Sequence, residues 1–394
     1  MAILACNLLL NHREAPSCVI EVTQESTNGS ENTTLSNLEN DSLVINSTSD
    51  LPILKLKRHA KYLRVMIKES DDIISLLPEK GFLPDYKSFC WTDKKRLFRC
   101  LPNVYVAGMP KCGTTDLFAK LEWHQDILKP PAGKENMYWP RSRVGRKIGA
   151  AQREHRPREK FESYTRRMTP DGMKENGHDA TILDGTPCLL FDQREWEIRY
   201  PWASHPPYTN ADLIHFVSPQ AKIIAMVRDP VERLWADYLY FDRGAPRSAE
   251  RFDHGVQIEI DRFQACLETR DFRNCCFSSE NSLNMQLSLG LYICFLQDWQ
   301  ENFRDNLLVI TLEEYSQDTV ETLARVFEFL EVEVDLEELG EFQRGSKIKN
   351  TRRAQDALLG DMLPQTRAKL RTFYQPYNLM LARYFQQRKF LFGY

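Results

Sequence analysis

The stretch Val104–Phe118, with the sequence VYVAGMPKCGTTDLF, decides the fold of this 394-residue chain. Its first three residues form an apolar run that is typical of a buried strand. Gly108 and Pro110 end that strand, and Thr114 and Thr115 stand where a helix should begin. The free N–H groups of a helix's first turn, together with the helix dipole, attract anions. The stretch therefore predicts a strand, a glycine-rich turn and a helix that together cradle an anionic group.

The position of the lysine narrows the kind of anion. In nucleoside-triphosphate loops the lysine directly follows the second glycine and precedes Ser or Thr, whereas Lys111 stands two residues before Gly113. The alternative is a plain strand-to-helix turn with an exposed lysine. We predict that Lys111 also stabilises charge on a leaving group. The predicted ligand-binding residues of the cradle are Lys111, Cys112, Gly113, Thr114 and Thr115.

Composition limits the class of protein. A hydrophobic fraction of 42% supports a sizeable core, and a net charge of −3 gives no reason to expect a nucleic-acid partner. The ten cysteines include no C-x-x-C pair, and no His/Cys cluster has zinc spacing, so we predict no metal site. In an oxidising compartment we expect local disulfides between Cys90 and Cys100, and between Cys266 and either Cys275 or Cys276.

The first 61 residues differ from the rest of the chain. They contain no aromatic residue and are rich in Ser, Thr, Asn and Glu, which predicts a disordered stem ahead of a folded domain at 62–394. The segment 1–10, MAILACNLLL, is too short to span a bilayer. We therefore expect either a soluble protein or an incomplete or alternative N-terminus without its anchor. Four N-x-S/T triplets predict glycosylation in the secretory pathway, at Asn28, Asn32, Asn40 and Asn46.

Further apolar runs predict the remaining architecture. Two of them read as buried strands, Lys222–Val227 and Leu307–Leu312, and Thr181–Thr186 reads as a short strand that ends in a turn. Three longer segments have helical periodicity, Asn281–Phe303, Val320–Leu330 and Pro364–Gln387. Together they predict an α/β fold with a central parallel sheet flanked by helices.

The segment RDPVERLWADYLYF, residues 228–241, follows the strand predicted at 222–227. A guanidinium at a strand end can donate two parallel hydrogen bonds to a phosphate. Open α/β sheets bind ligands beyond the carboxyl ends of their strands. We therefore predict that Arg228 binds a phosphate group of the ligand.

These motifs resemble those of a known family. The loop around Lys111 resembles the 5′-phosphosulfate loop of sulfotransferases, which bind 3′-phosphoadenosine 5′-phosphosulfate (PAPS), and residues 228–241 resemble their 3′-phosphate motif R-D/N-P-x-x-R-x-x-S-x-Y. From about Pro102 to Phe390 the chain resembles the carbohydrate sulfotransferases, most strongly the branch that sulfates position 6 of N-acetylgalactosamine (GalNAc) 4-sulfate. The resemblance implies a P-loop-like sulfotransferase fold and PAPS as the cofactor. It also implies a Golgi-lumen enzyme with a type II membrane anchor that acts on a sulfated glycosaminoglycan, chondroitin or dermatan sulfate.

The resemblance also assigns roles on the acceptor side. In KENMYW, Glu135 takes the place of the base that deprotonates the acceptor hydroxyl, beside Lys134. Asp184 matches a residue that lines the acceptor side, although a turn-capping role fits it equally well. Residues 141–167 carry ten Lys/Arg against three Glu, a basic run that favours a polyanionic substrate. The expected acceptor contacts are Lys134, Asp184, Arg141 and Arg143. The basic loop 345–360 closes over the nucleotide in the family, and its expected contacts are Arg352 and Arg353.

Two positions depart from the family pattern. Ala236 stands where a serine hydroxyl holds the 3′-phosphate, and Met137 replaces a histidine. Losing a hydrogen bond to a charged group costs roughly 1.5–3 kcal/mol, and Asp237 cannot substitute because a carboxylate repels phosphate. These departures leave open a non-catalytic glycosaminoglycan-binding relative. A P-loop nucleotide kinase is the other alternative, which the position of Lys111 disfavours.

Overall fold

The computed structural model describes residues 60–145, 157–193, 196–242, 247–278, 285–349, 351, 353, 356 and 359–394. These residues all belong to one compact unit, Ser49–Tyr394. The predicted stem with its four glycosylation sites, Asn28, Asn32, Asn40 and Asn46, lies outside the described residues, as does Arg352.

A five-stranded parallel sheet forms the centre of the described fold. The strands of the described residues are β1 Phe89–Thr92, β2 Phe98–Leu101, β3 Val104–Gly108, β4 Ile127–Leu128, β5 Thr181–Asp184, β6 Lys222–Val227 and β7 Leu307–Thr311. The parallel sheet has the order β4-β5-β3-β6-β7, and β1 pairs with β2 as an antiparallel hairpin. Every residue of β3 and β5 is buried, as expected where helices cover both faces of a parallel sheet. The predicted α/β fold is confirmed.

Helical segments cover the sheet. The α-helices that the structure describes are Ala60–Glu69, Asp71–Ile74, Thr114–Leu121, Phe161–Met168, Met173–Asn176, Trp196–Arg199, Asn210–Val217, Pro230–Phe241, Ala249–Thr269, Phe272–Phe277, Tyr292–Phe303, Leu312–Gln317, Thr319–Phe329, Leu336–Gly345 and Pro364–Phe385. A π-helical turn, Tyr138–Ser142, and 3-10 turns at Pro187–Leu190, Leu287–Gly290, Arg304–Asn306 and Arg388–Leu391 complete the set. Within the described ranges, no helix has the length and apolar character needed to cross a membrane.

One predicted helix differs from the structure between Met285 and Leu291. Residues 281–284 of the segment predicted at Asn281–Phe303 lie outside the described part of the chain; Leu287–Gly290 is a 3-10 turn, and the α-helix covers Tyr292–Phe303. A Cβ at Gly290 would lie 2.7 Å from Tyr374 Cε1 and 2.8 Å from Pro230 Cβ. The chain therefore passes between two elements that are distant in sequence, and this contact sets where the helix begins.

The two local disulfides are present. Cys90 bonds to Cys100 across the β1–β2 hairpin, and Cys266 bonds to Cys275. Cys276, the alternative partner, is a buried free thiol.

The topology places a binding crevice at one edge of the sheet. β3 is the central strand, β5 pairs with it on one side and β6 on the other. The connection from β5 to β6 therefore crosses β3. The strand order runs outward in opposite directions on the two sides of β3, so the switch point of the sheet lies at this strand. The segments that follow β3, β5 and β6 all start at the carboxyl edge, where open α/β sheets bind their ligands.

Candidate functional site

Two glycines let the loop after β3 pack closely against its neighbours. A Cβ at Gly108 would lie 2.8 Å from Leu190 Cβ, and one at Gly113 would lie 2.8 Å from Leu312 Cδ1. Gly113 also caps the helix Thr114–Leu121 with a φ of 87°, a left-handed conformation that favours glycine. The Met109 N–H donates to the Met226 carbonyl and so ties the loop to β6.

The loop presents N–H groups that can bind an anion. The Asp116 and Leu117 N–H groups donate to the Gly113 carbonyl at 3.0 and 3.1 Å. The N–H groups of Gly113, Thr114 and Thr115, in contrast, donate to no acceptor among the described residues. Such orphan donors at a helix N-terminus form an anion cradle, as the sequence predicts.

Cys112 does not fit its predicted place among the ligand-binding residues. Its side chain is fully buried, its Sγ lies 3.7 Å from the Pro110 carbonyl, and its N–H donates to the Met109 carbonyl at 3.3 Å. Burial raises the pKa of this thiol to about 12. Cys112 therefore packs beneath the cradle, because the turn directs its side chain into the core.

Lys111 projects over an aromatic ring. Its Nζ lies 3.6 Å from the ring centroid of Tyr240, whose side chain is 49% exposed. Burial lowers the pKa of Lys111, and the nearby cations Arg353 and Arg228 lower it further, although Asp237 opposes them. An ammonium held in a partly buried, positively charged cluster is well placed to meet an anionic ligand.

Arg228 lies at the end of β6, where the sequence predicts it. Its Nη1 donates to the Lys111 carbonyl at 3.5 Å, so the guanidinium lies against the cradle loop. Its Nη2 is 3.9 Å from a Glu232 carboxylate oxygen, and the side chain is 26% exposed. The Tyr292 hydroxyl donates to the Arg228 carbonyl at 2.7 Å and fixes the backbone.

Arg353 reaches the same cluster from the basic loop. Its Nε donates to Asp356 at 2.6 Å and its Nη2 donates to the Leu239 carbonyl at 2.6 Å. The guanidinium carbon lies 5.4 Å from the Tyr240 centroid, so this ring contacts both Arg353 and Lys111. The structure thus brings Arg353 to the cradle.

Ala236 is half-buried on the helix Pro230–Phe241, one turn before Tyr240. The neighbouring Asp237 is buried and lies 3.4 Å from the guanidinium of Arg233, which is also fully buried. Asp237 therefore points inward, and its carboxylate is paired with Arg233 away from the exposed face of the helix.

The candidate base lies on the loop that follows β4. Lys134 Nζ and Glu135 Oε1 are 2.7 Å apart, and the Glu135 side chain is 40% exposed. The Gly185 N–H donates to the Lys134 carbonyl at 2.9 Å and docks this loop on the end of β5. Because β5 pairs with β3, Glu135 and the cradle share the carboxyl edge of the sheet.

Asp184 does not reach an acceptor as predicted, because it is fully buried. Its carboxylate accepts hydrogen bonds from Asn136 Nδ2 at 2.7 Å and from the Thr186 N–H at 3.0 Å. Burial raises its pKa. Since Asn136 directly follows Glu135, Asp184 positions the loop that carries the candidate base.

The two arginines predicted to bind the acceptor have different surroundings. Arg141 Nε lies 2.7 Å from Asp192 and the side chain is 37% exposed. Arg141 is also close enough to Glu135 for the two charges to interact. Arg143 is only 4% exposed and its Nη1 donates to the Tyr208 hydroxyl at 3.3 Å. Arg143 is therefore a core residue, and its predicted place on an exposed basic shelf is wrong.

The sequence analysis missed Asp116, a buried carboxylate in the first turn of the cradle helix. It lies 2.6 Å from Lys120 Nζ, and it accepts hydrogen bonds from the Tyr315 hydroxyl and the Lys349 N–H, each at 2.7 Å. It thereby joins the cradle helix to the basic loop. An Asp and a Lys four residues apart on an otherwise apolar helix face were the available signal. Among the described residues, no group of three or more His, Cys, Asp or Glu could hold a metal ion.

Comparisons with known proteins agree with this geometry. Residues 101–372 match the sulfotransferase domain family. Human carbohydrate sulfotransferase 15 is 33% identical over 301 residues, which are 72% of this chain and 53% of the human protein. The mouse protein of the same name is 33% identical over 74% of this chain and 54% of its own length. A squid protein of that name (Nototodarus sloanii) is 33% identical over 34% of this chain and 87% of its own.

Two solved structures are more distant. A sulfotransferase from Alicyclobacillus acidocaldarius is 22% identical with a TM-score of 0.47, over 73% of this chain and 96% of its own. A mouse sulfotransferase complexed with PAP is 13% identical with a TM-score of 0.34, over 81% of this chain and 90% of its own. The chain spans about half the length of the curated mammalian relatives it matches. The predicted resemblance is confirmed, and the chain belongs to the sulfotransferase domain family.

Proposed function

We propose that this protein transfers a sulfuryl group from PAPS to a hydroxyl of a sulfated glycosaminoglycan. The proposed acceptor is the 6-OH of GalNAc 4-sulfate in chondroitin or dermatan sulfate, and the alternative is another glycosaminoglycan hydroxyl. The observation that carries the proposal is the cluster of Lys111, Arg228 and Arg353 around an anion cradle at the switch point of the sheet. Family membership and the similarity to carbohydrate sulfotransferases support the reaction class.

The donor binds across the cradle in this proposal. The free N–H groups of Gly113, Thr114 and Thr115 hold the 5′-phosphosulfate, and Arg228 holds the 3′-phosphate. Lys111 leaves the face of Tyr240 and donates to the oxygen that bridges phosphate and sulfate. Its charge stabilises the negative charge that grows on that oxygen as the sulfur–oxygen bond breaks.

The acceptor approaches from the side of Glu135. A general base must come within hydrogen-bond reach of the proton it takes, and Glu135 has the exposure to do so. Its carboxylate receives the hydroxyl proton while the sugar oxygen attacks sulfur in line with the leaving phosphate. Lys134 holds the carboxylate, and Arg141 adds positive charge that attracts a sulfated polymer.

The compartment is part of the same proposal. We place the protein in the Golgi lumen, anchored as a type II membrane protein in its full-length form. Four glycosylation triplets and two disulfides support an oxidising secretory compartment.

Two measurements test the proposed activity. Calorimetry measures the affinity for PAP, the desulfated cofactor, in the wild type, in Lys111→Ala and in the control Lys95→Ala, whose side chain is 70% exposed and pairs with Glu162. We expect tight binding that is lost only in Lys111→Ala. Labelled PAPS with chondroitin 4-sulfate should then yield disulfated disaccharides. Absent PAP binding in the wild type would refute the proposal, and binding without transfer to any glycosaminoglycan would favour the non-catalytic alternative.

A further inference from the structure

A small cavity surrounds Arg143, the arginine that lies in the core. We call it the Arg143 cavity; Trp139, Arg143, Trp196, Arg199 and Tyr208 are among its lining residues. None of the described residues that line it is Asp or Glu. Two guanidinium groups therefore face a space that no described carboxylate lines.

Among the described residues, the charges around this cavity do not balance. Glu69, just outside it, lies 2.8 Å from Arg199 Nη2 and accepts a hydrogen bond from the Tyr208 hydroxyl at 2.7 Å. One carboxylate thus neutralises Arg199. Arg143, at 4% exposure, donates to the Tyr208 hydroxyl and lies 5.6 Å from the centroid of the same ring, and no carboxylate among the described residues pairs with it. A buried charge without an opposite charge is strongly unfavourable, and arginine does not escape by losing its proton.

Unpaired hydrogen-bond donors of the two arginines indicate the same excess of positive charge. The Nε atoms of Arg143 and Arg199 are both buried and have no acceptor among the described residues. Buried donors in folded proteins nearly always have a partner, and an unmatched one indicates a bound water or ion. Two unmatched donors on two cations at one cavity favour an anion, because a neutral water leaves the excess charge of Arg143 in place.

The volume of the cavity limits the size of the anion that can bind. Its volume is about 20 Å³, and a cavity needs roughly 10–15 Å³ to hold one water. That space is large enough for one monatomic ion. We propose that the Arg143 cavity binds a single small halide, chloride under ordinary conditions. The ion stabilises the packing of the turn Tyr138–Ser142, which follows Glu135, against the helix Trp196–Arg199.

Unfolding experiments with exchanged anions test this site. Urea unfolding is followed at fixed ionic strength while sodium gluconate, whose anion is too large for the cavity, is replaced by sodium chloride. Above the dissociation constant, each tenfold rise in chloride should raise the folding equilibrium constant of the wild type about tenfold. Arg143→Met should abolish this dependence. The control Arg167→Met, which removes a surface arginine paired with Glu159, should retain it.

Crystals soaked in bromide give a direct readout on the wild type, so that the test does not depend on the folding of a variant. We expect an anomalous peak within hydrogen-bond distance of Arg143 and Arg199, weakened in Arg143→Lys, which keeps the charge and loses the guanidinium. A water in place of bromide, or equal chloride dependence in the wild type and Arg143→Met, would overturn the proposal.

Discussion

Replacing Ala236 by serine should strengthen binding of the donor nucleotide. The residue is half-buried on the helix Pro230–Phe241, one turn before Tyr240, whose ring contacts Lys111. Asp237 points inward to Arg233, and Glu232, one turn before Ala236, is paired with Arg367, so the carboxylates nearest a new hydroxyl at 236 are each held by an arginine. Ala236→Ser therefore adds a hydrogen-bond donor beside the cationic cluster and changes little else.

The size of the effect follows from the charge of the acceptor group. A hydrogen bond to a charged group contributes roughly 1.5–3 kcal/mol, which is about ten- to a hundred-fold in the dissociation constant. If a water already bridges this gap in the wild type, the gain falls at the lower end, because the hydroxyl then replaces an existing contact.

Calorimetry with two nucleotides distinguishes a new hydrogen bond to the 3′-phosphate from a general effect of the serine on the helix. PAP carries the 3′-phosphate and adenosine 5′-monophosphate lacks it, so the gain in affinity should appear for PAP alone. An unchanged PAP affinity would refute the placement of the 3′-phosphate beside position 236. An equal gain for both nucleotides would show that the serine acts on the helix and not on that phosphate.

Three further results are expected. Glu135→Gln should lower sulfate transfer by about 10²–10⁴-fold while PAP affinity stays constant, and unchanged turnover would exclude Glu135 as the base. Replacing Cys266 and Cys275 together by serine should lower the unfolding free energy by about 2–3 kcal/mol in urea, since the bond closes a short loop; an unchanged midpoint would contradict this. Burial lowers the pKa of His205 from 6.5 to about 4, and the charge of Arg273 adds to this shift. The stability that the neutral imidazole contributes is therefore present above pH 6.5 and is lost as the pH falls toward 4. The pH dependence of unfolding should be flatter in His205→Gln over that range, by at most ~1.4 kcal/mol per pH unit, and parallel curves would refute this.

The features of the site that follow from local sequence patterns could be predicted. β6 is a continuous apolar run because a parallel strand is buried on both faces. Arg228 and Lys111 follow the strands β6 and β3, and the carboxyl ends of neighbouring parallel strands meet at one edge. Their proximity therefore follows from the topology that the apolar runs predict.

Other parts of the site depend on contacts between distant segments. Arg143 lies in a basic run that looks exposed, yet Tyr208 and the helix Trp196–Arg199 enclose it. The carboxylate of Asp184, at the end of a fully buried strand, accepts a hydrogen bond from Asn136, 48 residues earlier. No local pattern carries this information, since the same residues in another fold would remain solvated.

The backbone around Met137 has a consequence for how the acceptor side can vary. Its φ of 58° and its N–H, which donates to Thr186 Oγ1 at 3.4 Å, are set by the main chain. The flanking Asn136 is held by Asp184. These main-chain hydrogen bonds do not involve the Met137 side chain, whose Sδ instead lies 3.3 Å from the Cys188 Sγ. A substitution at position 137 must therefore tolerate both the left-handed φ, which disfavours β-branched residues, and the contact with Cys188 if the placement of Glu135 is to stay unchanged.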